Sequence, residues 1–166
     1  RSANRFAWYG THQRFETLTQ TFVESPNGRL NAHHYRYAKD ESTFLVECDE
    51  STWYASGFDT MGRDESARRC QELFDDVLDG ADLIDNASVW RQFPHINLGR
   101  WSHGNVVLIG DAAHTAHYSI GSGTRLALED SIALVAALRS CDWNVLDGLA
   151  AYEAARKPIV GKLVRA

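Results

Sequence analysis

Apolar and polar positions alternate through the first third of the chain. Phe6 to Gly10 and Thr17 to Glu24 are aromatic, β-branched and Thr-rich, which predicts two strands. Ser25-Pro26-Asn27-Gly28 reads as a turn, with Pro26 setting φ and Gly28 accepting a left-handed backbone. Leu30 to Tyr37 puts Leu30, Ala32, His34 and Arg36 on one face and Asn31, His33, Tyr35 and Tyr37 on the other. A polar turn over Lys39 to Ser42 leads into Thr43 to Cys48, completing an antiparallel meander of three or more strands. The period then lengthens: Ala67, Cys70, Leu73, Phe74, Val77 and Leu78 recur at helical spacing. An amphipathic helix over 64–78, capped by Asp64 and stopped by Gly80, is therefore expected to cover the sheet.

The pattern changes again toward the C-terminus. Val89 to Phe93 and Ile96 to Leu98 are strand-like, and Asn105 to Gly110 is a short continuous apolar run, as expected of a strand buried on both faces. A Gly/Ser-rich loop follows. Leu126 to Leu138 is apolar nearly all round and predicts a buried helix; Leu146 to Lys157 predicts another, ended or kinked near Pro158. The elements predict a mixed α+β and α/β chain, with an antiparallel sheet and covering helix over residues 1–100 and a second, strand–loop–helix part over residues 101–166.

Composition narrows the classes. With 44% hydrophobic residues in 166, the chain can bury a sizeable core and is not disordered. A net charge of −5 and no basic cluster beyond Arg68-Arg69 exclude a phosphate-backbone footprint, so nucleic acid is not an expected partner. Three widely spaced cysteines without a Cys-x-x-Cys pair argue against a disulfide framework or structural zinc, and point to a reducing, cytoplasmic setting. No apolar run of about 18 residues is present, and Arg1 to Gly10 lacks the layout of an export signal, so no membrane partner is expected. The chain has no initiating Met, which raises the expectation of a fragment.

The candidate chemistry lies in one segment. Gly110-Asp111 places an acid directly after the apolar run, where ligands of open α/β sheets bind and where a carboxylate suits a polyol hydroxyl. The amides of Gly121, Ser122, Gly123 and Thr124, at the start of a helix, suit an anion or developing negative charge. Together they point to a polyol-bearing, partly anionic cofactor; the alternative is that Asp111 simply caps its turn. Asp111, His114 and His117 also have a spacing that could seat a metal, but no further ligand cluster supports it, and His114 as a hydrogen-bonding brace of the loop is the simpler reading. Ser119 and Ser122 do not satisfy the Gly-x-Ser-x-Gly of a nucleophile elbow. His33 and Tyr35, with Tyr37, either meet an aromatic substrate or fill the space between the sheet and its cover; His117 and Tyr118 either line an active site or sit on a surface loop. Arg5, Trp8 and Arg36 are weaker candidates, and Glu129 and Asp130 read as capping or pairing residues.

Gly110-Asp111-Ala112-Ala113-His114, Leu126-Ala127-Leu128-Glu129-Asp130 and Tyr152-Glu153-Ala154-Ala155-Arg156-Lys157-Pro158 resemble the second FAD motif and following helices of the class A flavoprotein monooxygenases, the aromatic-ring hydroxylases. Asn4 to Thr11 and His114 to Thr124 further resemble the branch that hydroxylates aryl-CoA thioesters, of the salicylyl-CoA 5-hydroxylase and 2-aminobenzoyl-CoA monooxygenase kind. Nearly the whole chain is covered. The resemblance implies a substrate-domain sheet followed by the C-terminal part of a Rossmann-like FAD-binding domain. It implies that Gly110, Asp111, Gly121, Ser122, Gly123 and Thr124 contact FAD, Asp111 through the ribityl chain. It also implies NAD(P)H as reductant, and oxygen transfer from a flavin C4a-hydroperoxide to an aromatic substrate or aryl-CoA thioester. His117 and Tyr118 stand where many relatives have two prolines, and Arg125 where they have Asn. No Gly-x-Gly-x-x-Gly occurs, so the pyrophosphate-binding half is expected upstream of Arg1, and the chain alone is expected to hold FAD weakly and not to turn over. A small, non-catalytic α+β binding module keeping a flavin-fold remnant is the alternative.

Overall fold

The alternating segments form strands β1 (Arg5–Thr11), β2 (Thr19–Ser25), β3 (Gly28–Arg36) and β4 (Ser42–Cys48) in the computed structural model, which describes residues 3–164. Arg1 and Ser2, at the head of the segment searched for an export signal, and Arg165 and Ala166 lie outside the described residues. Two compact units result, one ending at Phe93 and the other beginning at Pro94.

In the first unit the strands pair antiparallel in the order β2-β3-β4-β1, and short strands β5 (Leu83–Ile84) and β6 (Arg91–Gln92) pair with β1. The β2–β3 turn is tight: Ser25 pairs with Gly28, whose φ is +133°. A Cβ there would lie 2.1 Å from Thr52 Oγ1, so only glycine admits the neighbouring helix. That helix, α1 (Glu50–Ala55), is missed by periodicity because it is too short to show one; Asp49 starts it by accepting the Thr52 amide at 2.6 Å. The expected 64–78 helix is two pieces, α2 (Arg63–Leu73) and α3 (Asp75–Leu78), broken at Phe74. Gly62 and not Asp64 is the N-cap, and the left-handed terminus falls on Asp79.

Ala7, Tyr9, Leu30, Ala32, Phe44, Val46 and Cys48 form one core with Phe58, Cys70, Phe74 and Leu78 from the helical side. His34 lies in this layer, stacked on Phe44 at 5.5 Å and 3.9 Å from Phe15. The helices thus cover the face of Leu30, Ala32 and His34. His33, Tyr35 and Tyr37 belong to the other face, where His33 is buried and Tyr37 is exposed.

The second unit has less regular sheet than the sequence predicts. Strands β7 (Ser102–His103) and β8 (Val106–Val107) form a small hairpin, and Ile96 to Leu98 contributes only a bridge from Asn97 to His114. Within the run expected to be buried on both faces, Val106 is 61% and Ile109 37% exposed. A continuous apolar run is buried only where neighbouring elements cover both sides; among the described residues β8 pairs with β7 alone. Helices α4 (Gly123–Ser140) and α5 (Val145–Val164) follow. Leu126, Ala133, Leu134 and Ala137 of α4 join Trp101, Ala113, Ala116, Tyr152 and Val160 in a core. The same helix leaves Leu128 62%, Ile132 71% and Val135 42% exposed, so it is not the buried helix expected. Nor does α5 end at Pro158: Val160, Leu163 and Val164 pack on the core, which outweighs the single N–H that proline removes. Among the described residues no helix is long and apolar enough to cross a membrane.

Candidate functional site

The chain reaches the Gly-Asp pair in extended conformation and reverses there. Ile109 has φ −133° and ψ 160°, whereas Gly110 has φ +55°. A Cβ on Gly110 would sit 3.0 Å from Ala127 Cβ, so the 3₁₀ turn Gly110–Ala112 lies tightly against α4, at a left-handed residue that favours glycine. The amides of Ala113 and His114 both donate to the Gly110 carbonyl at 2.9 Å, closing the turn. Asp111 sits on its outside, exposed, and no hydrogen bond among the described residues engages its carboxylate.

Behind the turn is Asp130, fully buried on α4. Its Oδ2 accepts the Gly110 amide at 3.0 Å and His114 Nε2 at 2.7 Å; its Oδ1 accepts Arg156 Nε at 2.8 Å. Arg156 also donates through Nη2 to Glu129 at 3.2 Å. Each member offsets the desolvation of another, which is the condition for keeping charges inside a protein. His114 Nδ1 has no partner, so the hydrogen-bonding pattern assigns the ring hydrogen to Nε2. The ring packs against Trp101 at 5.0 Å. His114 therefore braces the loop, as its position suggests, and Asp130 pairs.

The glycine loop continues as a second 3₁₀ turn, Tyr118–Ile120, capped by His117, whose Nδ1 lies 2.7 Å from Ser119 Oγ. The half-buried rings of His117 and Tyr118 lie 4.2 Å apart. Ser122 precedes α4 but does not cap it with its side chain, because its Oγ donates to the Ile120 carbonyl at 3.2 Å. No acid occupies the first turn of α4, and a Cβ on Gly121 or Gly123 would meet nothing within 4 Å. The first amides of the helix, at its positive end, therefore front open space.

In the first unit, His33 and Tyr35 stand on the sheet face away from the helices. His33 is buried between Gln20, at 2.8 Å from Nε2, and Glu47 at 3.8 Å, and Glu47 also accepts from Asn4 at 2.8 Å. Tyr35 lines a cleft of about 440 Å³ with Trp8, Tyr37, Thr43, Glu41 and Asp85. The cleft arises because Thr43 and Gly10, small residues paired across β4 and β1, lie between Tyr35 and Ile84. Glu41 and Asp85 escape a reading based on strand alternation, since both lie in connecting segments.

Burial pushes the Cys48 thiol up to about 12 and the Cys70 thiol higher still, which makes both unreactive packing groups. Burial, with a smaller contribution from His33, lowers His34. Burial opposes ionisation of Glu153, but Lys157, the Trp101 amide at 2.9 Å and Ser102 outweigh it and hold the carboxyl below its ordinary value. Among the described residues no group of three or more His, Cys, Asp or Glu is placed to hold a metal.

A family model described as FAD binding domain matches residues 12–166. The chain is 46% identical, over 93% of its length, to a 3-hydroxy-4-methyl-anthranilyl-[aryl-carrier protein] 5-monooxygenase of Streptosporangium sibiricum, and covers 40% of that protein. It is 36% identical, over 96% of its length, to a salicyloyl-CoA 5-hydroxylase of a Streptomyces species, covering 32% of it. The chain thus spans well under half of these curated relatives. Among solved structures, a probable FAD-dependent monooxygenase from Pseudomonas aeruginosa superposes with a TM-score of 0.68 at 22% identity, over 99% of this chain and 47% of that one. A Klebsiella pneumoniae protein crystallised with FAD and uric acid gives 0.69 at 20% identity, over 99% and 44%.

Proposed function

The chain belongs to the FAD binding domain family, and from that premise we propose that it forms part of the flavin site and the substrate roof of an aromatic-ring monooxygenase. The unit beginning at Pro94 supplies the C-terminal side of the FAD site, and the unit ending at Phe93 supplies the sheet of the substrate domain. The observation that carries this reading is the Gly110 turn, which presents an otherwise unengaged Asp111 carboxylate at the outside of a rigidly tied loop.

The residues fit a flavin. An exposed carboxylate accepts hydroxyl hydrogens of a polyol, and the uncapped start of α4, with open space at Gly121 and Gly123, admits an electron-rich ring edge. When bound, FAD reduced by NAD(P)H supplies the oxygen chemistry. Asp111 orients the ribityl chain, and the amides over Gly121, Ser122, Gly123 and Thr124 hold the ring by its charge. His117 and Tyr118, half-buried on the same loop, shield the ring from water. The exposed α4 stripe of Leu128, Ile132 and Val135 supports the view that further chain, carrying the pyrophosphate-binding half, packs there.

The substrate is an aromatic acyl group carried as a thioester. Support comes from the names of the two relatives above, one acting on an anthranilyl group on an aryl-carrier protein and the other on salicyloyl-CoA. The test is the visible spectrum and intact mass of the full-length gene product purified without added flavin. A protein much heavier than 18.6 kDa and yellow with FAD is expected, with FAD held about tenfold more weakly in Asp111→Ala. A colourless protein of about this mass would leave the non-catalytic binding module.

A further inference from the structure

Asp130, Arg156 and His114 are all buried, and none of the three is itself a proposed cofactor contact. A buried ion pair is poor value as a stabiliser, since apolar residues of similar volume often do as well or better. Its use must be sought in what it holds in place.

One oxygen of Asp130 ties both ends of the segment 110–114: Gly110 through its amide and His114 through Nε2. Asp111 lies between the two ties. Gly110 on its own is the least restrained kind of residue, free to take either sign of φ. Its value of +55° and its approach to Ala127 are therefore imposed, and Asp130 is the group that imposes them. Arg156, through Nε on the other oxygen, fixes the orientation of the carboxylate that accepts both donors.

We propose that Asp130 is a positioning residue for Asp111, oriented by Arg156 and coupled through His114 to the far end of the turn. The proposal rests on the reading of Asp111 as a flavin contact and goes beyond it in assigning what sets that contact. Asp130 acts through the loop and touches no cofactor.

The experiment is a double-mutant cycle on FAD affinity in the full-length gene product stripped of flavin, with Asp111→Ala, His114→Phe and the pair. His114→Phe keeps an aromatic ring beside Trp101, gives up an Nδ1 that has no partner, and loses only the tie to Asp130. Each single variant is expected to weaken FAD binding roughly tenfold, and the double variant to bind no worse than Asp111→Ala alone. Losses that multiply would overturn the proposal, because a merely structural His114 has no reason to act through Asp111. Wild-type affinity in His114→Phe beside a weakened Asp111→Ala would overturn it equally. If Asp111→Ala binds FAD as the wild type does, the flavin reading itself falls, which is a distinct result. Arg156→Lys runs through the same cycle should His114→Phe not melt cooperatively: it keeps the charge but loses the planar fork, and the same non-additivity is expected.

Discussion

In the unit ending at Phe93, β1, β3 and β4 turn Ala7, Tyr9, Leu30, Ala32, Phe44 and Val46 into a core that α2 and α3 close from one side. In the unit beginning at Pro94, the core around Trp101 and Tyr152 is smaller, a carboxylate sits within it, and α4 leaves an apolar stripe open. The core of the first unit is held by non-directional burial, which tolerates small shifts, and its buried carboxylate, Glu47, bonds to Asn4 outside that core. The second uses directional bonds to a charge, which tie a loop at both ends, and leaves an apolar stripe of its helix exposed.

The difference can be broken at Arg156. Arg156→Met leaves Asp130 buried without its cation and is expected to destabilise the second unit by about 3–5 kcal/mol. Amide hydrogen exchange reads this selectively: α4 and α5 lose protection while β1, β3 and β4 keep theirs. Equal loss in the strands would show that the two units do not differ in the way described.

Acid sharpens the same contrast with a smaller effect. Burial lowers His34 from 6.5, so its contribution is complete above that pH and is lost as pH falls through its lowered folded value. Glu153 is lowered from 4.5, so its contribution holds above 4.5 and is lost only on further acidification. Between pH 6.5 and 4.5 the strands around His34 are therefore expected to lose exchange protection before α5 does. The reverse order would discount burial of His34 as the cause.

The smallest effect on stability is expected at the open stripe. Leu128→Gln changes a mostly exposed side chain, so the 166-residue chain should keep its stability within about 0.5 kcal/mol. Its self-association, measured by sedimentation, should fall. An unchanged association state would mean that the stripe is not an adhesive surface.

Much of this was legible along the chain, for physical reasons that also mark the limits. Leu30 to Tyr37 alternate and β3 lies where that pattern places it, whereas β4, buried along its whole length, is marked by its β-branched and aromatic residues. The six residues of α1 carry no period, although Asp49 and Thr52 hold the capping signal. The apolar runs at 105–110 and 126–138 are read as buried because hydrophobicity reports a need for cover and is silent on where the cover comes from. Gly110 to His114 stands out locally, whereas its tie to Arg156 spans two helices and leaves no local period. The aromatic cleft beside Tyr35 is equally hidden, since its floor of Gly10 and Thr43 depends on strand register.

The tie between Asp130 and Arg156 also orders events in time. Arg156 follows Asp130 by 26 residues, and synthesis proceeds from the N-terminus. A ribosome-bound chain that has emerged only as far as α4 carries every residue of the Gly-Asp turn but not the guanidinium that orients its anchor. The turn is set only after α5 has left the exit tunnel, so the Gly-Asp turn matures later than the residues that compose it.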